Sequence, residues 1–190
     1  KVNNRWFGPF FAEEVNFNYT EANAWQYSLF VPQDIEGHIE LMGGKENYSK
    51  HLDKMFSANS STSGREQVDI TGLIGQYAHG NEPSHHMAYL YNYVNQPWKT
   101  QSRVRQIMEE QYKNAADGLS GNEDCGQMSS WFVLSSMGFY SVTPGLDYYA
   151  IGTPLFDQVQ IELENGNYFE IEAKNLSPIN KFIQSASLNG

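Results

Sequence analysis

The feature that most limits the fold is a change of pattern near Gly138. From about Thr20 to Gly138 the chain reads as helical segments parted by Gly, Pro and Asn-rich loops, and from Tyr140 onward as short alternating runs. Helices first and strands afterwards predict a mainly α body with a β appendage. TEANAWQYSLFV predicts a helix with Thr20 as N-cap and Pro32 closing it. DIEGHIELMGG predicts a short helix ended by Gly43 and Gly44, and ENYSKHLDKMF another. SANSSTSGRE reads as a polar loop. ITGLIGQYAHGNEP leads into a helix over SHHMAYLYNYV, with Pro83 near its start, where proline is tolerated. PWKTQSRVRQIMEEQY predicts a helix entered at Pro97, and CGQMSSWFVLSSMG one ended by Gly138. Beyond it, DQVQIELEN and GNYFEIEAK, with ENGN between them, predict a hairpin. INKFIQSASLNG is expected to open a second hairpin, stopping on an Asn-Gly turn signal. That ending, and a first residue other than Met, are expected of a piece of a longer protein.

At 190 residues the chain suffices for one ordinary core, and 40% hydrophobic content excludes disorder for most of it. A formal charge of −10 with no Lys/Arg cluster argues against nucleic acid as a partner, because phosphate neutralisation needs a basic face. It is compatible with metal cations, neutral sugars or simple solubility. No apolar run approaches the roughly 20 residues of a membrane span, and no signal peptide opens the chain. The single Cys125 cannot form an internal disulfide and leaves the redox compartment open. The 12 Tyr, 11 Phe and 4 Trp serve mostly packing, but aromatic rings also line sugar sites.

Three segments could carry chemistry. In NYTEANAWQY, Glu21 falls in the first turn of the expected helix, where a carboxylate complements the helix dipole. Asn23, Trp25, Gln26 and Tyr27 crowd it with hydrogen-bonding groups and an aromatic platform. In such a partly apolar pocket a carboxylate would have a raised pKa and could serve as general acid. YAHGNEPSHH gathers His79, Asn81, Glu82, His85 and His86. It is not the His-Glu-x-x-His zinc arrangement, and Pro83 breaks a continuous helix across it. Oxygen ligands to a hard cation from Asn81 or Glu82, contacts to a hydroxyl-rich ligand, or histidines satisfying buried backbone groups are the readings that fit. GLSGNEDCGQMSSWFVLSSMGFY places Glu123 and Asp124 before an aromatic helix. Cys125 there could be a nucleophile of depressed pKa, but nothing local supplies its base, and a small packing residue suits the position better. Asp124 with Glu21 could form the carboxylate pair of glycoside hydrolysis, one protonating the leaving oxygen and one activating water.

The three blocks NYTEANAWQYSLFVPQDIEGHIELMGG, DITGLIGQYAHGNEPSHHMAYLYNYV and GLSGNEDCGQMSSWFVLSSMGFYSVTPG, with YYAIGTPLFDQVQI and SASLNG, resemble glycoside hydrolase family 92 from about Asn18 to the last residue. The resemblance implies calcium-dependent, exo-acting, inverting α-mannosidases. It implies an N-terminal β-sandwich, missing here, before an (α/α)6 toroid whose later part this chain is. On that basis residues 1–139 are expected to be partial toroid helices and active-site loops, and 140–190 a truncated region of antiparallel β-strands. By motif position Glu21 is the implied general acid and Asp124 the implied general base. Asn23, Trp25, Gln26, Glu82, His85, Asn122 and Gln127 are expected to contact substrate, a mannose-containing glycan. Calcium would engage sugar hydroxyls, with Asn81 and Glu82 as its expected ligands. Family members are typically exported, so the resemblance implies an extracytoplasmic location. Three positions depart from the family pattern: Asn122 stands where some members have Asp, Ala22 where Gly is frequent, and Gln33 where His is frequent. A non-catalytic carbohydrate-binding or structural fragment, inactive without its missing N-terminal part, is the alternative.

Overall fold

The computed structural model describes residues 3–6 and 8–190. Among them five α-helices run Ala24–Ser28 (α1), Ile35–Leu41 (α2), Lys45–Ser57 (α3), Pro97–Glu110 (α4) and Gln127–Met137 (α5). Two 3-10 segments, Glu82–Ser84 and Met87–Asn92, lie between α3 and α4. The strands form four two-stranded sheets. Glu14–Val15 (β1) pairs in parallel with Ser63–Gly64 (β2). Three antiparallel pairs follow: Leu73–Ile74 (β3) with Tyr77–Ala78 (β4), Phe139–Tyr140 (β5) with Ala150–Ile151 (β6), and Gln158–Glu162 (β7) with Tyr168–Glu172 (β8). The last pair is the hairpin expected from ENGN, with Val159 opposite Ile171.

Most helix boundaries follow local chemistry. Asp34 caps α2 by accepting from the Gly37 N–H at 2.9 Å. Gly43 and Gly138 end α2 and α5 at φ 88° and 102°, the left-handed region that glycine enters without a Cβ clash. One core unites the apolar faces: Tyr48, Leu52 and Met55 from α3, Val104 and Ile107 from α4, and Trp131 from α5. The C-terminal region packs on α4, where Arg105 donates to the Pro154 carbonyl at 2.8 Å and β5 continues directly from α5.

Three expectations are corrected. The first helix starts at Ala24 with Asn23 as its cap, not at Thr20, and ends at Ser28 rather than at Pro32. Asn23 accepts from the Trp25 N–H at 3.0 Å, while the Gln26 side chain returns to accept from the Asn23 N–H at 2.8 Å. This reciprocal box satisfies two of the N–H groups that the first turn of a helix leaves without intrahelical partners. Asn23→Ala is therefore expected to lower stability by about 1–2 kcal/mol, read as a shift of the urea midpoint. The SHHMAYLYNYV run is wound as 3-10 rather than as an α-helix, since Met87 to Tyr91 are all buried and packing rather than an amphipathic face shapes it. INKFIQSASLNG forms no strand; the Ile183 N–H is taken by the Gln101 side chain, outside any ladder.

Candidate functional site

Glu21 lies in the bend before Asn23, outside the helix, at φ 55°. The dipole reading therefore fails, because the carboxylate is not in a helical first turn. Its side chain is exposed, so the partly apolar pocket expected around it is not formed by this chain. Behind it the segment is rigidly held. Asn23 is fully buried and donates to the Gln76 side chain at 2.9 Å, and Gln26 donates to the Gln76 carbonyl. Gln76 in turn donates to the carbonyls of Asn59 and Ser61. Trp25 is half-buried and stacks on His51 with centroids 5.3 Å apart.

The segment after β4 joins the other two. The Asn81 side-chain N–H donates to the Glu21 carbonyl at 3.0 Å. One residue earlier, Gly80 is pressed between Thr71 and the loop that leads to Asp124: a Cβ there would lie 1.8 Å from the Thr71 hydroxyl and 2.4 Å from the Ser120 carbonyl. Gly121 meets the Gly80 carbonyl in the same way, at 2.8 Å from an added Cβ. Two glycines thus let the Gly80–Asn81 backbone lie flush against residues 120–121 while Asn81 reaches back to Glu21. The structure brings all three sequence blocks together around this point.

Asp124 sits on a left-handed turn: Asp124, Cys125 and Gly126 have φ of 51°, 57° and 94°. A residue with a Cβ costs about 1–2 kcal/mol in that region, and such strain persists only where the surroundings enforce it. Glu123 enforces it from outside, accepting from the Ser129 N–H at 3.0 Å and the Ser129 hydroxyl at 2.9 Å. Asn122, Asp124 and Cys125 are exposed.

His85 faces the loop from inside. Its Nε2 donates to the His79 carbonyl at 2.9 Å, which leaves Nδ1 to accept from the Gln127 amide at 3.1 Å. Burial pushes the imidazole down to about 4, with His86 adding to the lowering, against the pull of the His79 carbonyl and of the nearby Asp124 carboxylate. His79, held well below its ordinary value by burial, bonds Tyr77 and Tyr112 through its two nitrogens, and His86 Nε2 donates to the Leu29 carbonyl. These histidines serve internal partners, and among the described residues no group of three His, Cys, Asp or Glu side chains is placed to hold a metal.

Asn81 and Glu82 differ from that set. The Asn81 Oδ1 accepts from the Glu82 N–H at 3.2 Å, which leaves one lone pair, and the Glu82 carboxylate is exposed without a hydrogen bond or ion pair. An amide oxygen beside a free carboxylate fits a hard cation as part of a shell of about six to eight oxygens.

Of the expected substrate contacts, Trp25, Glu82, Asn122 and Gln127 have some surface free, whereas Asn23, Gln26 and His85 are buried and occupied within the protein. Sequence reasoning passed over Gln76 and Tyr112. Nothing in the sequence marks Gln76, and Tyr112 is one tyrosine among twelve.

Residues 1–190 match the family model for the glycosyl hydrolase family 92 catalytic domain, and the chain belongs to that family. A protein of Arthroderma benhamiae described as an uncharacterised secreted glycosidase is 30% identical over 173 residues, covering 90% of this chain and 20% of the relative. A family 92 α-mannosidase of Bacteroides thetaiotaomicron superposes with a TM-score of 0.80 at 42% identity, over 93% of this chain and 23% of that one. Its complex with mannoimidazole gives 0.79 and 44%, over 84% and 21%. A family 92 inverting mannosidase of the same species gives 0.76 and 40%, over 91% and 25%. The chain thus spans about a fifth of the curated relative's length and a fifth to a quarter of the solved structures. No helix among the described residues is long and apolar enough to cross a membrane.

Proposed function

We propose that this chain carries the acid and the base of an inverting, calcium-dependent exo-α-mannosidase whose remaining parts lie in a longer protein. The observation that supports it most is the convergence described above: Glu21 and Asp124 both sit on left-handed backbone, in loops that meet at Gly80–Asn81. Glu21, as general acid, gives its proton to the glycosidic oxygen, and the bond from that oxygen to the anomeric carbon breaks. Asp124, as general base, takes a proton from the water that attacks that carbon from the opposite face. Inversion by this route requires the two carboxyls to stand about 6.5–9.5 Å apart with that water between them. Asn122, neutral and exposed, orients the water, and Trp25 with Gln127 borders the sugar. Asn23, Gln26 and His85 hold those groups from behind. Glu82 and Asn81 are the residues that would hold calcium, which when bound supplies a positive charge for sugar hydroxyls.

In the longer protein these helices form part of an (α/α)6 toroid, with an N-terminal β-sandwich closing the pocket. The exposure of Glu21 in this chain supports that arrangement. It also supports the reading that residues 1–190 alone are inactive, as a non-catalytic fragment would be. The secreted description of the fungal relative supports an extracytoplasmic location. The test is proton NMR of early hydrolysis of an aryl α-mannoside by the full-length protein. β-Mannose should appear first and mutarotate to the α form; α-mannose first sinks the inverting assignment. EDTA should abolish turnover and calcium restore it, whereas turnover indifferent to chelation removes the metal from the proposal.

A further inference from the structure

The loop carrying Asp124 is gripped at both ends by one residue that lies outside it. The backbone of Tyr112 pairs with Leu119 at the loop's entry, and the neighbouring Lys113 N–H donates to the Gly118 carbonyl at 2.9 Å. The Tyr112 hydroxyl donates to the Met128 carbonyl at 3.0 Å, in the first turn of α5 where the loop ends. That fixed donation sets the direction of every proton behind it. With its hydrogen on Met128, the Tyr112 oxygen accepts from His79 Nε2–H at 2.7 Å, and His79 Nδ1 then accepts from the Tyr77 hydroxyl at 2.7 Å. A second path returns from α5 to His79: Gln127 donates to His85, and His85 donates to the His79 carbonyl. The two paths close a ring through His79, Tyr112, Met128, Gln127 and His85. Trp131 fills its centre, with its ring 4.4 Å from His79, parallel to Tyr112 within 2°, and its N–H donating to the His85 carbonyl.

Gly126, the N-cap of α5, offers no side chain, so the side-chain bonds that hold the helix start come from Glu123 outside and from Tyr112 and His85 inside. We infer that Tyr112 is a positioning residue for the base: its hydroxyl and backbone together fix the span of the loop and hence where Asp124 stands. This rests on the reading of Asp124 as general base.

Tyr112→Phe in the full-length protein tests it, because the ring stack and the backbone pair survive and only the hydroxyl is lost. A base displaced by a fraction of an ångström should lower kcat about 10- to 100-fold, with KM changed by less than about twofold, and should move the acidic limb of the pH profile of kcat/KM. Tyr91→Phe is the control: it deletes a part-buried hydroxyl bond, to Asp53 at 2.9 Å, away from the loop. It should lower Tm and leave kcat unchanged. A lowered Tm with kcat and the acidic limb unaltered in Tyr112→Phe overturns the positioning role, while Asp124→Asn, if inactive, keeps the base assignment. Full activity in Asp124→Asn takes both readings down together.

Discussion

Asp124→Asn in the full-length protein is expected to lower kcat by about a hundred- to ten-thousand-fold, the usual contribution of a general base, with little change in KM or thermal stability. Position 124 has φ 51°, and asparagine is among the few residues besides glycine that adopt this region readily. The substitution therefore removes the proton acceptor and leaves the turn in place. Asp124→Ala would confuse the result, since alanine would add backbone strain of about 1 kcal/mol or more. No neighbour can substitute: Asn122 is neutral, and the Glu123 carboxylate is turned onto Ser129. Cys125→Ala serves as the companion control and should retain activity, which also disposes of a thiol mechanism. Single-turnover rates on an aryl α-mannoside decide the matter, and an Asp124→Asn protein within threefold of wild type leaves the base role without a holder.

Trp131→Ala is expected to cost about 3–5 kcal/mol, a large share of the roughly 5–15 kcal/mol that stabilises a typical domain. The ring is fully buried and meets His79, Tyr112, Tyr140 and His85. Its loss would leave a void against those four side chains and orphan the His85 carbonyl, a further penalty of about 1–3 kcal/mol if no water enters. Trp131→Phe keeps much of the packing and should fall between the two. Urea denaturation of residues 1–190, followed by far-ultraviolet circular dichroism, gives the measurement. A Trp131→Ala midpoint close to that of wild type would mean that the aromatic cluster is held from elsewhere.

These two residues also show what was readable from the chain. The place of Asp124 in a loop just before a helix was legible, because the aromatic run after it announced that helix. Helix ends at Gly43 and Gly138 were legible because the turn that stops a helix is built from adjacent residues. The start of α1 was not: Thr20 and Asn23 are both good caps, and the choice falls to Asn23 through Gln26 and through Gln76, fifty-odd positions later along the chain. The burial of His85 and its pairing with Gln127 likewise depend on a contact between distant segments, so a polar residue that looked available for substrate proved to be occupied. The left-handed conformation at Glu21 has no local signature either, since glutamate rarely adopts it.

The junction at Gly80–Asn81 has a consequence for how this region comes apart. Because Asn81 is bonded to the Glu21 backbone and Gly80 lies against the loop of Asp124, an opening that lifts residues 80–81 releases both carboxylates in one event. Amide hydrogen exchange should then report the 20–26, 79–86 and 118–128 segments as a single cooperative unit with a shared opening free energy, below that of α3 and α4. Mild heating or denaturant would thus displace the proposed acid and base together, through loss of the contacts among these three loops, while most of the helical signal persists.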